Sequence, residues 1–270
     1  MRSLFNRNSL TLSDRTDQAA GLRRLFSGGA HQRFVAVASN PHVACAGVLL
    51  ERLTAAFAAQ ACHALVIDAS ESAPVPSVAV LEDPALGLEP LGERLSYVAA
   101  RGLSQGLREV AGGAAQWLQR LAAAAPQCDV LLVHAPATEI SRFFGGRALQ
   151  PLLLAAEGDD SLTHALASLR LLAARHRCTQ FDLLLGLPMT SPQAVRAVRH
   201  LGGWARSRLN LGLRHGVALD PARDAQEPAL PPTLAQLAAA LLEAHDEQEP
   251  GNWHPGGGDA ARGAALPARN

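Results

Sequence analysis

The residues that could do chemistry gather behind one strand. Phe34 to Ser39 reads FVAVAS, and the turn and helix that follow run SNPHVACAGVLLERL from Ser39 to Leu53. A turn of this kind can wrap phosphate in backbone N–H groups, provided that a lysine reaches the terminal phosphates and a Ser or Thr hydroxyl binds magnesium. This chain has no lysine at all: its 24 basic residues are all arginine, and none lies between Ser39 and Gly47. His42 and Cys45 in the turn, with His134 at the end of a later strand, are side chains that zinc accepts. No short ligand spacing joins them, so the reading is that no metal is bound. Ser, His and Asp are present without a G-x-S-x-G elbow, which leaves a hydrolase triad unsupported.

The elements that position these residues alternate. FVAVAS and HALVIDAS are apolar strands separated by the helical stretch VLLERLTAAFAAQ, and further apolar runs follow at SVAVLED, DVLLVHAPA, LQPLLLAAE, FDLLLGL and LGLRHGVALD. Helical patterns occupy Gly102 to Ala125, Ser161 to His176 and Pro192 to Leu209, with a last helix at TLAQLAAALLEAH. Strands apolar throughout and alternating with helices predict a doubly wound α/β fold, a mostly parallel sheet with helices on both faces. Its ligand crevice lies at the carboxyl ends of the strands.

Before this domain, SDRTDQAAGLRRLF reads as a short capped helix with Gln18, Leu22, Leu25 and Phe26 toward one side, stopped by Gly28 and Gly29. Too short to stand alone, it must dock on something. The organisation is therefore a tail with this helix over 1–30, an α/β domain over 31–245, and a Gly- and Pro-rich segment over 246–270 expected to be disordered. Net charge is zero, which gives no global attraction to nucleic acid or an anionic membrane. Cys45, Cys62, Cys128 and Cys178 lack C-x-x-C spacing, and the start has no apolar signal region. A reduced, cytoplasmic protein is expected, with membrane contact at most indirect.

TDQAAGLRRLF, placed within about ten residues of a first strand, resembles the N-terminal signature of FlhG (FleN), a family of MinD-like P-loop ATPases controlling flagellar number. Asp17, Gln18, Ala19, Leu22 and Arg23 match its DQA-x-x-LR motif. The resemblance implies a MinD-like fold with ATP and magnesium. It also implies a docking helix that stimulates FlhF, the signal-recognition-particle-type GTPase: Gln18 approaches the partner's nucleotide, Leu22, Leu25 and Phe26 anchor the helix, and Arg23 makes a charge contact. Flagellar basal-body components are further implied partners.

Laid on Ser39 to Gly47, the family's loop S-G-K-G-G-V-G-K-T is replaced almost throughout. Asn40 stands for the first glycine, Pro41 for the signature lysine, Ala46 for the phosphate-binding lysine and Gly47 for the magnesium-binding threonine. Asp68-Ala69-Ser70 keeps one carboxylate of D-A-D and loses the other; His134 stands for the Walker B aspartate, and the base-reading asparagine falls near Gly186. His134 reads as a partly buried replacement free to drift, and Ser161 and Thr163 as the capped start of a helix. The expectation is a pseudo-ATPase scaffold without cofactor, its oligomeric state open. The alternative is an active MinD/ParA-like ATPase with a remodelled loop, in flagellar placement or chromosome partitioning.

Overall fold

Arg33–Ala38 (β1) is a run of alternating destinations: Val35 and Val37 pack into one hydrophobic core, Ala36 and Ala38 into another on the opposite face. This two-residue period, in a strand apolar on both sides, is what a sheet covered on both faces requires. The computed structural model describes residues 32–107, 113–145, 147–188, 190–224 and 229–243. The docking helix with Asp17, Gln18, Ala19, Leu22, Arg23, Leu25 and Phe26 lies outside them, as does the segment 246–270.

After β1 come α1 (Ala46–Ala59), β2 (Ala64–Asp68), α2 (Val78–Glu82), a 3-10 turn (Pro84–Gly87), β3 (Glu89–Gly92) and β4 (Leu95–Ala99). Next are α3 (Leu103–Gly106), α4 (Gly113–Ala124), β5 (Val130–Ala135), α5 (Ala137–Phe144), β6 (Leu152–Ala155), α6 (Asp159–Arg175) and β7 (Gln180–Gly186). α7 (Pro192–Leu209), β8 (Gly212–Leu219), α8 (Pro221–Asp224) and α9 (Pro232–Glu243) complete the described chain. The sheet has eight strands in the order β3-β4-β2-β5-β1-β6-β7-β8. All neighbours are parallel except β3 and β4. The doubly wound, mostly parallel sheet expected from the sequence is present. Trp117, Phe143, Leu169 and Leu201 from α4 to α7 fill the core on one face; Leu49, Leu53 and Phe57 of α1 meet Leu234 and Leu237 of α9 on the other.

Three local expectations change. SVAVLED is not a strand: its center forms α2, bracketed by Pro76 and Pro84, which lack the N–H groups a central strand donates. The place beside β2 goes to LSYVA, which pairs with it over five residues from Leu95 to Ala99. Gly102 to Ala125 is not one described helix, because Gly102 and Gly113 take left-handed backbone (φ +72° and +50°) ahead of α3 and at the start of α4. α6 begins at Asp159, so Ser161 is not its cap; the helix opens on Gly158, at φ +106°.

Under the sheet's far half lies Asp182, fully buried in β7. It accepts hydrogen bonds from Arg214 Nε at 3.1 Å and Nη2 at 2.7 Å, from the His215 N–H at 3.1 Å and from Gln150 Nε2 at 3.0 Å. The register of β8 shifts between Leu213 and Gly216 as Arg214 and His215 turn toward this carboxylate. Buried charge is tolerated here because its acceptor sites are met by charged and polar donors.

Candidate functional site

Four strand ends converge on the turn after β1. The Ser39 N–H donates to Ala135 O at 2.9 Å, which ties the turn to the end of β5, and the Val43 N–H closes it onto Asn40 O at 3.0 Å. Asn40 is 4% exposed, and its amide spans the crevice. Nδ2 donates to Leu154 O and Ser161 O, both at 3.0 Å, and to Ser161 Oγ at 3.2 Å, while Oδ1 accepts the His42 N–H at 3.1 Å. Ser161 Oγ in turn accepts the Ala156 N–H at 2.9 Å. Where a glycine would leave the turn bare, this side chain pins it to β6 and α6.

The turn, the end of β5 and the start of α6 enclose a cavity of about 460 Å³. Its lining holds Ser39, Asn40, Pro41, Ala46, Gly47, Ser70 and His134, seven of the eight positions singled out in the sequence; the eighth, Asp68, stands behind His134. No arginine lines it. A larger groove of about 640 Å³ between the ends of β6 and β7 carries Glu157, Asp159, Arg196 and His200, all exposed. The smaller cavity is the better site, because it sits at the carboxyl ends of central strands and has buried polar groups in its wall.

Asp68 and His134 are register neighbours on β2 and β5, and His134 Nδ1 lies 3.0 Å from Asp68 Oδ1. Burial alone raises the Asp68 carboxyl, but hydrogen bonds from His134 and Ser70 together with the imidazole's charge outweigh it and hold the pKa below the ordinary value. An ionised Asp68 fixes the proton on His134 Nδ1. His134 is 3% exposed, and its Nε2 has no hydrogen-bond partner among the described residues. It is therefore anchored by a carboxylate, not a partly buried residue free to drift.

His42 and His164 face each other across the cavity mouth, ring centroids 5.9 Å apart and nearly perpendicular. Burial, then the His42 ring, lowers the His164 pKa, against smaller opposing effects of the Ser39 backbone and Glu71. Among the described residues no group of three or more His, Cys, Asp or Glu has the arrangement of a metal site. No helix among them is long and apolar enough to cross a membrane. Burial also raises the Cys45 thiol and pushes Cys128 and Cys178 up to about 11, so none is a ready thiolate.

At Gly186 the structure adds what the sequence did not reveal. A Cβ there would fall 2.4 Å from Cys45 Sγ, so the Cys45 thiol occupies the space of a side chain at the end of β7.

No family model matches the chain, and no curated protein matches it in sequence. Solved structures do. MinD of Aquifex aeolicus in its complex with MinC aligns with 83% of this chain and 100% of its own, at 13% identity and a TM-score of 0.51. An McdA variant of Cyanothece in complex with ATP aligns with 81% of this chain and 98% of its own, at 13% identity and a TM-score of 0.50. The chain has the MinD fold. Apo McdA of Cyanothece is similar to the same extent, at 15% identity and a TM-score of 0.50 over 80% of this chain and 99% of that one. At these identities the likeness is one of architecture. Ser39 to Gly47 joins the first described strand to the first described helix of this fold.

Proposed function

We propose that this protein is a MinD-type scaffold that does not run an ATP cycle, and that it acts in flagellar assembly as an FlhG-like regulator. In this reading the helix from Thr16 to Phe26 docks on an FlhF-type GTPase and stimulates it, with Gln18 toward the partner's nucleotide. The observation that carries the first half is the Asp68–His134 hydrogen bond. It pairs the crevice's remaining D-A-D carboxylate with an imidazole, inside a cavity that no arginine or lysine lines to offset a triphosphate. The second half is supported by the match of Asp17, Gln18, Ala19, Leu22 and Arg23 to the docking motif, an activity that needs only the helix.

One feature favours the competing reading, an active ATPase with a remodelled loop: no acidic side chain lies in the first turn of α1 and no side chain caps its start, so the positive end of its dipole has no side-chain counter-charge there. Calorimetry separates the two. The scaffold gives no magnesium-dependent heat with ATP at about millimolar concentration, and tight binding overturns it. A peptide covering Ser13 to Gly28 stimulates the GTPase, whereas its Gln18→Ala form does not. Equal stimulation by both would sink the docking half.

A further inference from the structure

Four of the five large apolar side chains exposed among the described residues sit within one short stretch: Val75 (67%), Val78 (73%), Leu86 (67%) and Leu91 (60%). Val75 precedes α2, Val78 lies in it, Leu86 in the 3-10 turn and Leu91 in β3, the outermost strand of the sheet, so the four follow one edge of the domain. A clustered apolar surface of this kind marks a contact. Residues 71–93 also carry five exposed carboxylates, Glu71, Glu82, Asp83, Glu89 and Glu93, and no basic residue. Arg101 and Arg120 reach this stretch, but they bond the backbone carbonyls of Glu71, Leu81 and Glu82. The occupant should be amphipathic and basic.

The chain itself supplies one. Residues 1–31 contain five arginines against two aspartates, and the helix read from their pattern has Leu22, Leu25 and Phe26 on one side. Their exit point is close to the patch. Gln32 Nε2 donates to Ala122 O and Ala125 O at the end of α4, and the same helix touches α2 through Trp117 Nε1 to Val80 O at 2.8 Å and Arg120 to Glu82 O at 2.7 Å. From Arg120 to Ala125 is about 7.5 Å along a helix, and Phe26 to Gln32 can span about 20 Å. The segment after α9 fits worse: 244–270 has four acidic residues against two arginines and leaves from the half of the sheet where α9 packs on α1 and β8.

We propose that the N-terminal helix from Ser13 to Phe26 folds back on this acid-rimmed edge, covering Val78 and Leu86 with Leu22, Leu25 and Phe26. The proposal rests on the docking-helix reading of that segment but not on the GTPase. The apolar side that would grip a partner is then held in reserve on the protein's own surface. Binding elsewhere requires its release.

Hydrogen exchange on the full chain tests this. Leu22→Asp with Phe26→Asp speeds amide exchange over Val75 to Leu91 by about tenfold and leaves β5 unchanged. Glu82→Arg with Glu89→Arg, two exposed changes that spare the fold, speeds exchange in residues 14–26. Unaltered exchange in both experiments overturns the proposal. Protection of Val75 to Leu91 that grows with protein concentration also overturns it, by placing the helix on a second copy. The peptide assay on the GTPase does not involve residues 71–93, so the two readings fail separately.

Discussion

Gly186→Ala is the sharpest perturbation that the crevice allows, because a single atom stands in its way. The added Cβ falls 2.4 Å from Cys45 Sγ, whereas its other neighbours, Leu49 Cδ1 at 3.7 Å and Pro221 Cγ at 3.8 Å, are ordinary contacts. Attractive non-bonded contacts lie at about 3.5 to 4.0 Å, so the sulfur must move by roughly an ångström or more. Overpacking of this sort costs about 1–3 kcal/mol. For a chain of this size that lowers the melting temperature by about 2 to 12 °C. Gly186 is not among the positive-φ glycines, so alanine brings no backbone strain. Once Cys45→Ala removes the sulfur, the same Gly186→Ala change should stabilise by about 0.4–1 kcal/mol, because it restricts the unfolded chain. The sign of the effect thus reverses between backgrounds. Urea denaturation of the two single variants and the double variant measures it. Equal effects in both backgrounds, within about 0.5 kcal/mol, would refute the claim that Cys45 fills this space.

Asn40→Ala should destabilise by about 1–3 kcal/mol, since it removes the buried amide that joins Leu154 O, Ser161 and the His42 N–H; chemical denaturation reads this directly. Asp68 has a folded-state pKa below its unfolded value near 3.9, so its contribution is present above that value and is lost as pH falls through the folded pKa. Accordingly, Asp68→Asn is less stable than the parent at neutral pH, and the gap narrows in acid, as stability curves at pH 7 and below pH 4 will show. Arg214→Met leaves the Asp182 carboxylate short of its bidentate partner and should cost about 3–5 kcal/mol, while adding Asp182→Asn to it recovers part of the loss in thermal melts.

The layered sheet was legible because β1, β2, β5, β6 and β7 each hold an uninterrupted apolar run of at least three residues, as strands covered on both faces do. β4 was not, since Ser96 and Tyr97 interrupt its apolar run, whereas SVAVLED, the more apolar stretch, lies between two prolines and forms a helix. The crevice was legible as a set of positions, because the turn after the first strand fixes where a ligand would lie. Its couplings were not. Asp68 meets His134 only because β2 and β5 are neighbours in a particular register, and Asn40 reaches Ser161 only because β1 lies beside β6. Strand order is not written in any local run of residues. Nothing in the sequence linked Cys45 to Gly186, which lie far apart in the chain and meet where α1 packs over the end of β7.

The Asp68–His134 pair sets a condition on any substitution in this crevice. Aspartate at position 134 would bring a second carboxylate beside Asp68 in a poorly solvated pocket, where two like charges repel. A lysine in the turn would arrive beside an Asn40 still holding the turn to β6 and α6. The residues of the crevice support one another, so a change at one of them is felt by its neighbours across β1, β2, β5 and β6.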